Sequence, residues 1–314
     1  MEREFSADRW GLILGGSSGF GLATAHELAR RGMNLFLVHR DRRGAMARIE
    51  PEFDAIRRTG VTLVTANADA LDPAVRAELL DRLATALGAA GRVRLLLHSI
   101  AFGNLKLVAP ERRQDPRVLG ALAAEIGLPP ERLGAAVNRL FADGMEELAA
   151  LADAPAYPAA VLDEEDLART IDAMGTSFLT WTQAILARGL FADDARVLGM
   201  TSEGNQLAWK GYAAVAAAKV ALESVARAMA VELAPYGVRA NVVQAGVTDT
   251  PALRAIPGHT HLRAQARLRN PFRRLTTPAD VARVICLLAS DEAAWINGEV
   301  IRVDGGEHVS GGLT

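Results

Sequence analysis

WGLILGGSSGFG, Trp10 to Gly21, sets a short apolar run directly against a glycine-rich loop. The run has the length of a strand, and the segment behind it, to about Arg31, has the length and spacing of a helix. Gly15, Gly19 and Gly21 therefore fall at the tight turn and the helix entrance, with Ser17, Ser18 and Phe20 between them. Backbone N–H groups at such a helix start can face a pyrophosphate, and glycine lets the backbone approach it closely. A Gly-rich strand-to-helix turn can also serve purely as a turn. The phosphate reading is favoured because this loop follows the first strand and opens the first helix.

The alternation continues along the chain. NLFLVHR, VTLVTANAD and VRLLLHSIA are separated by helix-length segments, and ARVLGMTS, VRANVVQAG and GEVIRVDGG follow with helices between them. These runs are apolar on both faces, as a parallel sheet covered on two sides requires. The expected fold class is α/β, a doubly wound parallel sheet of Rossmann type. One segment breaks the rhythm. From about Leu107 to Ala168 no convincing strand is found, and DPRVLGALAAEIG, PPERLGAAVNRLFADGMEELAALADA and DEEDLARTIDAMG have helical spacing punctuated by Pro and Gly. The reading is one domain over 1–314 with a helical insertion at 107–168, after the fourth strand, bordering the substrate pocket.

Half of the 314 residues are hydrophobic, enough for a substantial core. A formal charge of −2 gives no global electrostatic case for nucleic acid or an anionic membrane. Cys286 is the only cysteine, so no disulfide forms within the chain, and its setting in DVARVICLLAS predicts a buried helix face. A reducing cytoplasm is the natural compartment. MEREFSADRWGLILGG suits neither a signal peptide nor a membrane span. No metal site is expected.

The second strand ends in VHRDRR, which puts Arg40 where a dinucleotide-binding protein tends to carry an acid for the ribose hydroxyls. Arg40, helped by Arg42 or Arg43, can pair with a 2′-phosphate, so NADP(H) is favoured over NAD(H). Asp41 and a solvated loop end are the competing features. Further on, GYAAVAAAKVALESVARAMAVELA, Gly211 to Ala234, carries Tyr212 and Lys219 seven positions apart, almost two helical turns. Such a pair also arises by chance on helices, so its surroundings have to decide.

With the glycine loop, NADA after the third strand, the Tyr and Lys, and VDGG near the end all in order, the chain resembles the short-chain dehydrogenase/reductase family over roughly Trp10 to Lys106 and Asp172 to Gly306. HSIAFGN at His98 to Asn104, Tyr-x6-Lys in place of Tyr-x3-Lys, and NVVQAGVTDT with Ala-Gly resemble its enoyl-acyl-carrier-protein reductase branch. At the ordinary tyrosine position, four before Lys219, stands Val215. Ser202, seventeen before Lys219, resembles the NADPH-preferring subgroup that retains a serine. The helix asparagine of the usual proton relay is replaced by Ala173 or Met174. The resemblance implies that Asp69 and Ala70 border the adenine, and that Ser99, Ile100 and Val247 lie along the cofactor towards the nicotinamide. It also implies that Thr248 or Thr250 meets the cofactor's phosphates or amide, that Ala101 and Phe102 border the acyl chain, and that the chain assembles as a homotetramer or homodimer.

The implied chemistry is reduction of the carbon–carbon double bond of an enoyl thioester, carried by an acyl carrier protein or coenzyme A, in fatty acid or polyketide metabolism. Tyr212 is the expected donor to the thioester oxygen, Lys219 the cation that holds the ribose, and Ser202 a second donor or a strand-end hydroxyl bonding its own loop. Arg254, Arg263, Arg267, Arg269, Arg273 and Arg274 form a basic segment. It can attract an acidic carrier or pair with the insertion's Glu146, Glu147, Asp153 and Asp163 to Asp166. A carbonyl reductase or alcohol dehydrogenase of the same family, and a non-catalytic NADP(H)-binding regulatory protein, are the alternative functions.

Overall fold

The computed structural model describes residues 4–112 and 117–311. Residues 113–116 of the expected insertion, including the start of DPRVLGALAAEIG at Asp115, lie outside the described residues.

The strand–helix alternation forms as expected. β1 (Arg9–Leu14), α1 (Gly19–Arg30), β2 (Asn34–His39), α2 (Met46–Arg57), β3 (Leu63–Asn67), α3 (Pro73–Leu87) and β4 (Arg92–His98) make the first half. The insertion supplies α4 (Arg117–Glu125), α5 (Pro130–Ala142) and α6 (Glu164–Ile171). Then come α7 (Ser177–Ala187), β5 (Phe191–Ser202), α8 (Ala213–Glu232), β6 (Arg239–Ala245), α9 (Pro251–Arg254), α10 (His259–Arg269), α11 (Pro278–Ala289) and β7 (Val300–Val303). The seven strands form one parallel sheet in the order β3-β2-β1-β4-β5-β6-β7. Strand order reverses between β1 and β4, which opens a crevice at their carboxyl ends, the place where such sheets bind ligands.

Alternate residues of each strand enter two separate cores. Leu12, Leu14, Phe36, Leu96 and Val197 face α3, α7 and α8, where Leu83, Trp181 and Leu222 pack against them. Ile13, Leu35, Leu37, Leu95 and Leu198 face α1, α2 and α11, and Cys286 lies in that layer fully buried. Burial first pushes the Cys286 thiol up to about 12, so it is an inert packing group.

The α7–α8 contact rests on small residues. Residues 172–176 form a π-helical turn leading into α7. A Cβ on Gly175 would lie 2.7 Å from the Ala218 carbonyl oxygen. Ala218 is fully buried, while Ala216 and Ala217 are half-buried. Ala218, and Ala221 beside it, therefore serve close approach of α8 to the turn before α7.

At the amino-terminal edge of the sheet, away from the crevice, one carboxylate gathers three guanidiniums. Asp194 pairs with Arg94 at 2.6 Å, with Arg239 at 2.8 Å and with Arg196. Arg94 and Arg196 also donate to the carbonyls of Ala289 and Ser290, which the end of α11 leaves free. Burial opposes the Asp194 charge, but the Arg196 hydrogen bond and the neighbouring guanidiniums hold its carboxyl below the usual range.

The insertion leaves and returns at one point, where Leu107 bridges Val161 and accepts from the Leu162 N–H at 2.8 Å. Lys106 clamps that neck through Asp166 and Asp163. Its far side meets α10, where the Phe141 and His261 rings lie 4.8 Å apart and Arg267 pairs with Glu146.

Asp194→Asn leaves the arginine cluster without its shared carboxylate. Unfolding in urea, followed by circular dichroism, should show a loss of roughly 2 kcal/mol, below the cost of breaking a fully buried pair because Asp194 keeps partial exposure.

Candidate active site

The glycine loop is shaped by backbone contact. Gly15 has φ +88°, and a Cβ there would lie 2.5 Å from the Ser99 carbonyl oxygen; one on Gly21 would lie 2.1 Å from the Gly15 oxygen. Only glycine fits either position, so the loop wraps the start of α1 directly against the end of β4. Gly21 acts through packing, whereas Gly15, Ser17, Ser18, Gly19 and Phe20 line a cavity of about 410 Å³. Thr250 stands opposite Gly19, caps α9 by accepting from the Leu253 N–H at 3.2 Å, and lines the same cavity.

This trough runs to Arg40, Asp69 and Ala70 at the ends of β2 and β3. Arg40 donates to Asp69 at 2.6 Å and lies 5.0 Å from the Phe102 ring centroid. Asp69 also accepts from the Leu71 N–H at 3.0 Å. Burial opposes its charge, and those two hydrogen bonds hold its carboxyl below the usual range. Asp41, the acid that competes with a 2′-phosphate reading, is turned to His39 at 2.9 Å. A glycine cradle that a Cβ would fill, an open trough and a guanidinium at its far end fit a dinucleotide.

A second cavity, of about 230 Å³, adjoins the first and shares Phe20, Ser99, Ile100, Ala101 and Thr250 with it. Ser202, Tyr212, Val215, Lys219, Val247 and Thr248 line it together. Tyr212 is the residue just before α8 rather than on it, with φ −109° and ψ 3°. Its ring lies on Gly204, where a Cβ would come within 2.4 Å of Tyr212 Cε1. Tyr212 and Ser202 hydroxyl oxygens are 3.2 Å apart. Although the ring keeps some exposure, burial of the hydroxyl pushes its pKa above the ordinary value, with the Ser202 bond opposing and Glu203 adding to the rise. Tyr212 is therefore a protonated donor at neutral pH.

Lys219 is buried and donates to the Met200 carbonyl at 2.8 Å. Burial lowers its pKa to about 8, and Glu223, one turn later on α8, opposes that shift. Glu223 also accepts from Thr201 Oγ1 at 2.6 Å and from Asn205, which brackets Ser202 on both sides. His98 is neutral at the end of β4, its pKa lowered to about 3 by burial and then by Lys219. The Ser177 hydroxyl donates to the Ala173 carbonyl, so His98 Nε2 donates to Ser177 at 2.7 Å.

Phe102 does not line the Tyr212 cavity: its ring sits in the trough between the guanidiniums of Arg40 and Arg169, the latter 5.1 Å from its centroid. Ala101 and Gly103 border the Tyr212 cavity instead. The basic segment is not a free rim. Arg254 and Arg263 pair with Asp249, Arg267 with Glu146, Arg269 with Glu203 and Glu307, and Arg274 with Asp280. The Thr248 hydroxyl donates to the Gly246 carbonyl of its own loop at 2.9 Å. Among the described residues, no part of the 107–168 insertion lines the Tyr212 cavity; it backs the segment that does.

Glu203, Glu223 and Glu307 were not singled out from the sequence, and Arg269 was read only as one member of the basic segment. Glu203 adjoins Ser202, and Glu223 is one turn from Lys219; both spacings were readable, but their burial was not. No helix among the described residues is long and apolar enough to cross a membrane, and no group of His, Cys, Asp and Glu among them could hold a metal ion.

A family model described as Enoyl-(Acyl carrier protein) reductase matches residues 134–308, more than half of the chain. The cis-4-hydroxycyclohexanecarboxylate dehydrogenase of Sinomonas cyclohexanicum is 28% identical over 304 residues, 96% of this chain and 98% of that one. The enoyl-acyl-carrier-protein reductase (NADH) of Streptomyces avermitilis is 32% identical over 259 residues, 79% of this chain and 62% of that one. Among solved structures, the enoyl-acyl-carrier-protein reductase (NADH) of Aquifex aeolicus shares the fold with a TM-score of 0.70 at 21% identity, covering 96% of this chain and 97% of that one. The protein is accordingly an oxidoreductase that belongs to the short-chain dehydrogenase/reductase family, in its enoyl-acyl-carrier-protein reductase branch.

Proposed function

We propose that the protein uses NADPH to reduce the carbon–carbon double bond of an enoyl thioester. The observation that carries this reading is the placement of Tyr212, protonated and beside Ser202, in a cavity where Val215 leaves the ordinary tyrosine position apolar. Bound NADPH supplies the hydride. As that hydride reaches the β-carbon, negative charge develops on the thioester oxygen, and a hydroxyl already standing there stabilises it without reorganising. Tyr212 donates to that oxygen, Ser202 holds the Tyr212 hydroxyl in place, and Lys219 adds a buried positive charge on the same side; the enolate then takes one proton, supplied by water, at the α-carbon to give the saturated thioester. Met174, Leu105 and Ile256 make the remaining wall apolar, as an acyl chain needs.

Arg40 supports NADPH over NADH, because its guanidinium stands at the far end of the trough, half-exposed and paired with the half-exposed Asp69. The Streptomyces avermitilis relative is named for NADH, and the two cofactors are told apart by the binding test below. The insertion joins the reading as a brace that holds α10 over the cavity. The exposed Val220, Val231 and Trp295 supply apolar surface for a homotetramer or homodimer. A second reading, oxidation of a secondary alcohol or reduction of its ketone, is favoured by the likeness to a hydroxycyclohexanecarboxylate dehydrogenase over 96% of the chain.

Oxidation of NADPH and NADH should be followed with crotonyl and longer enoyl thioesters, and with matched β-ketoacyl thioesters. Turnover of the enoyl substrates is expected; turnover of the keto substrates alone selects the second reading. Tyr212→Phe should lower kcat about 100-fold or more while leaving the Kd for NADPH within about twofold. Retained turnover would remove Tyr212 from the chemistry. Arg40→Ala should weaken NADPH binding about tenfold and leave NADH binding unchanged, as read by quenching of intrinsic fluorescence. Equal loss for both cofactors would show that Arg40 does not read the 2′-phosphate.

A further inference from the structure

Residues 251–270, containing α9 and α10, form a cover over the Tyr212 cavity, which Ala252, Leu253, Ala255, Ile256 and Leu262 line. Arg269 is the last residue of α10, and its Nη2 bonds Glu203 and, at 3.0 Å, Glu307. Both acids are buried, at 6% and 1% exposure. Glu203 directly follows Ser202 and lines the cavity. Glu307 lies within 3.4 Å of the Val247 N–H, in the loop that closes the cavity's other side. One guanidinium thus joins the end of the cover to both walls of the candidate active site. Asn270, next to it, bonds backbone groups instead: its side-chain amide donates to the Asp304 carbonyl at 2.9 Å and accepts from the Phe272 N–H at 2.9 Å.

We propose that Arg269 is a positioning residue, which by bridging Glu203 and Glu307 holds the 251–270 cover closed over the Tyr212 cavity and fixes the Ser202 and Val247 walls relative to each other. The proposal rests on the reading of that cavity as the acyl site.

The charge balance makes the clasp respond to pH. Facing Glu307 are Glu203 from the end of β5 and Arg269 from α10. In its own segment, Asp304 is turned to the N–H groups of Gly306 and His308, and His308 Nδ1 lies 3.7 Å from Glu203. Burial, then the Glu203 charge, pushes Glu307 up to about 7 against the pull of Arg269. A carboxyl raised on folding contributes stability fully present below its ordinary value and lost as the pH rises through the folded value. With Glu307 protonated, Glu203 and Arg269 balance; once it ionises, the clasp carries one uncompensated negative charge and loosens.

Amide hydrogen exchange of the full chain, at about pH 6 and about pH 8, reads this without any substrate. In the unaltered protein, protection over 251–270 should fall between the two, and Glu307→Gln should remove that difference. Arg269→Ala should lower protection of the cover about tenfold at both while leaving β1 to β4 protected, and Arg269→Lys should restore most of it. Protection of the cover that does not change in Arg269→Ala, or falls equally throughout the sheet, overturns the proposal. Should Arg269→Ala not fold, Glu203→Gln with Arg269→Gln removes one charge of each sign and is held to the same outcomes.

In steady-state assays Arg269→Ala should raise KM for the enoyl thioester about tenfold, more than it lowers kcat, with the NADPH Kd unchanged. A cover that loosens as described in a protein that does not reduce enoyl thioesters leaves the clasp standing and removes the acyl reading. An enoyl reductase whose cover ignores Arg269 removes the clasp alone.

Discussion

The close approach of three backbone segments at the switch point underlies everything else in this molecule. Gly15 lies against the Ser99 carbonyl and Gly21 against the Gly15 carbonyl, each at a distance that excludes a side chain. That contact starts α1 at the mouth of the crevice between β1 and β4, where Ser18, Gly19 and Phe20 line the trough. Parallel pairing then brings the ends of β5 and β6 to the same edge: Ser202 is in register with Ala245, and Ala245 with Val303. The two cavities meet there because seven parallel strands all end at the same edge of the sheet.

Around that edge, the chemistry depends on how charge is enclosed. Lys219 is kept near the cavity by a carbonyl and by Glu223, and loses part of its basicity to burial. Tyr212 is shielded and stays protonated, and His98 is neutral. A site with one buried cation and a protonated hydroxyl at its rim is prepared for negative charge developing on a substrate oxygen. The arginines of the cover each have an acid partner within the chain: Arg254 and Arg263 share Asp249, Arg267 holds Glu146, and Arg269 holds Glu203 and Glu307.

Most of the fold was legible in the chain. Apolar runs without alternation announced buried parallel strands, and the seven strands follow them in order. Gly15 and Gly21 could be placed because a strand, a glycine loop and a helix at that spacing leave few geometries. Tyr212 and Lys219 were legible as a pair, although Tyr212 precedes α8, where the Gly204 contact and not helical spacing aims its ring. The setting of Phe102 was not legible, because a strand end leaves its following side chains free to turn either way: its ring lies between the Arg40 and Arg169 guanidiniums and against the cluster of Met174 and Val215.

The sequence by itself determined the layered sheet, the phosphate loop and the residue types at the site, because these follow from periodicity and from positions only glycine can occupy. Which charges meet was decided by the tertiary structure alone. Arg269 lies 66 residues from Glu203 and 38 from Glu307, and nothing local distinguishes it from Arg267, which turns to the insertion, or from Arg254, which pairs with Asp249. Pairing of buried ions depends on which groups the completed fold removes from water together, and that is a property of the packed chain rather than of any stretch of it.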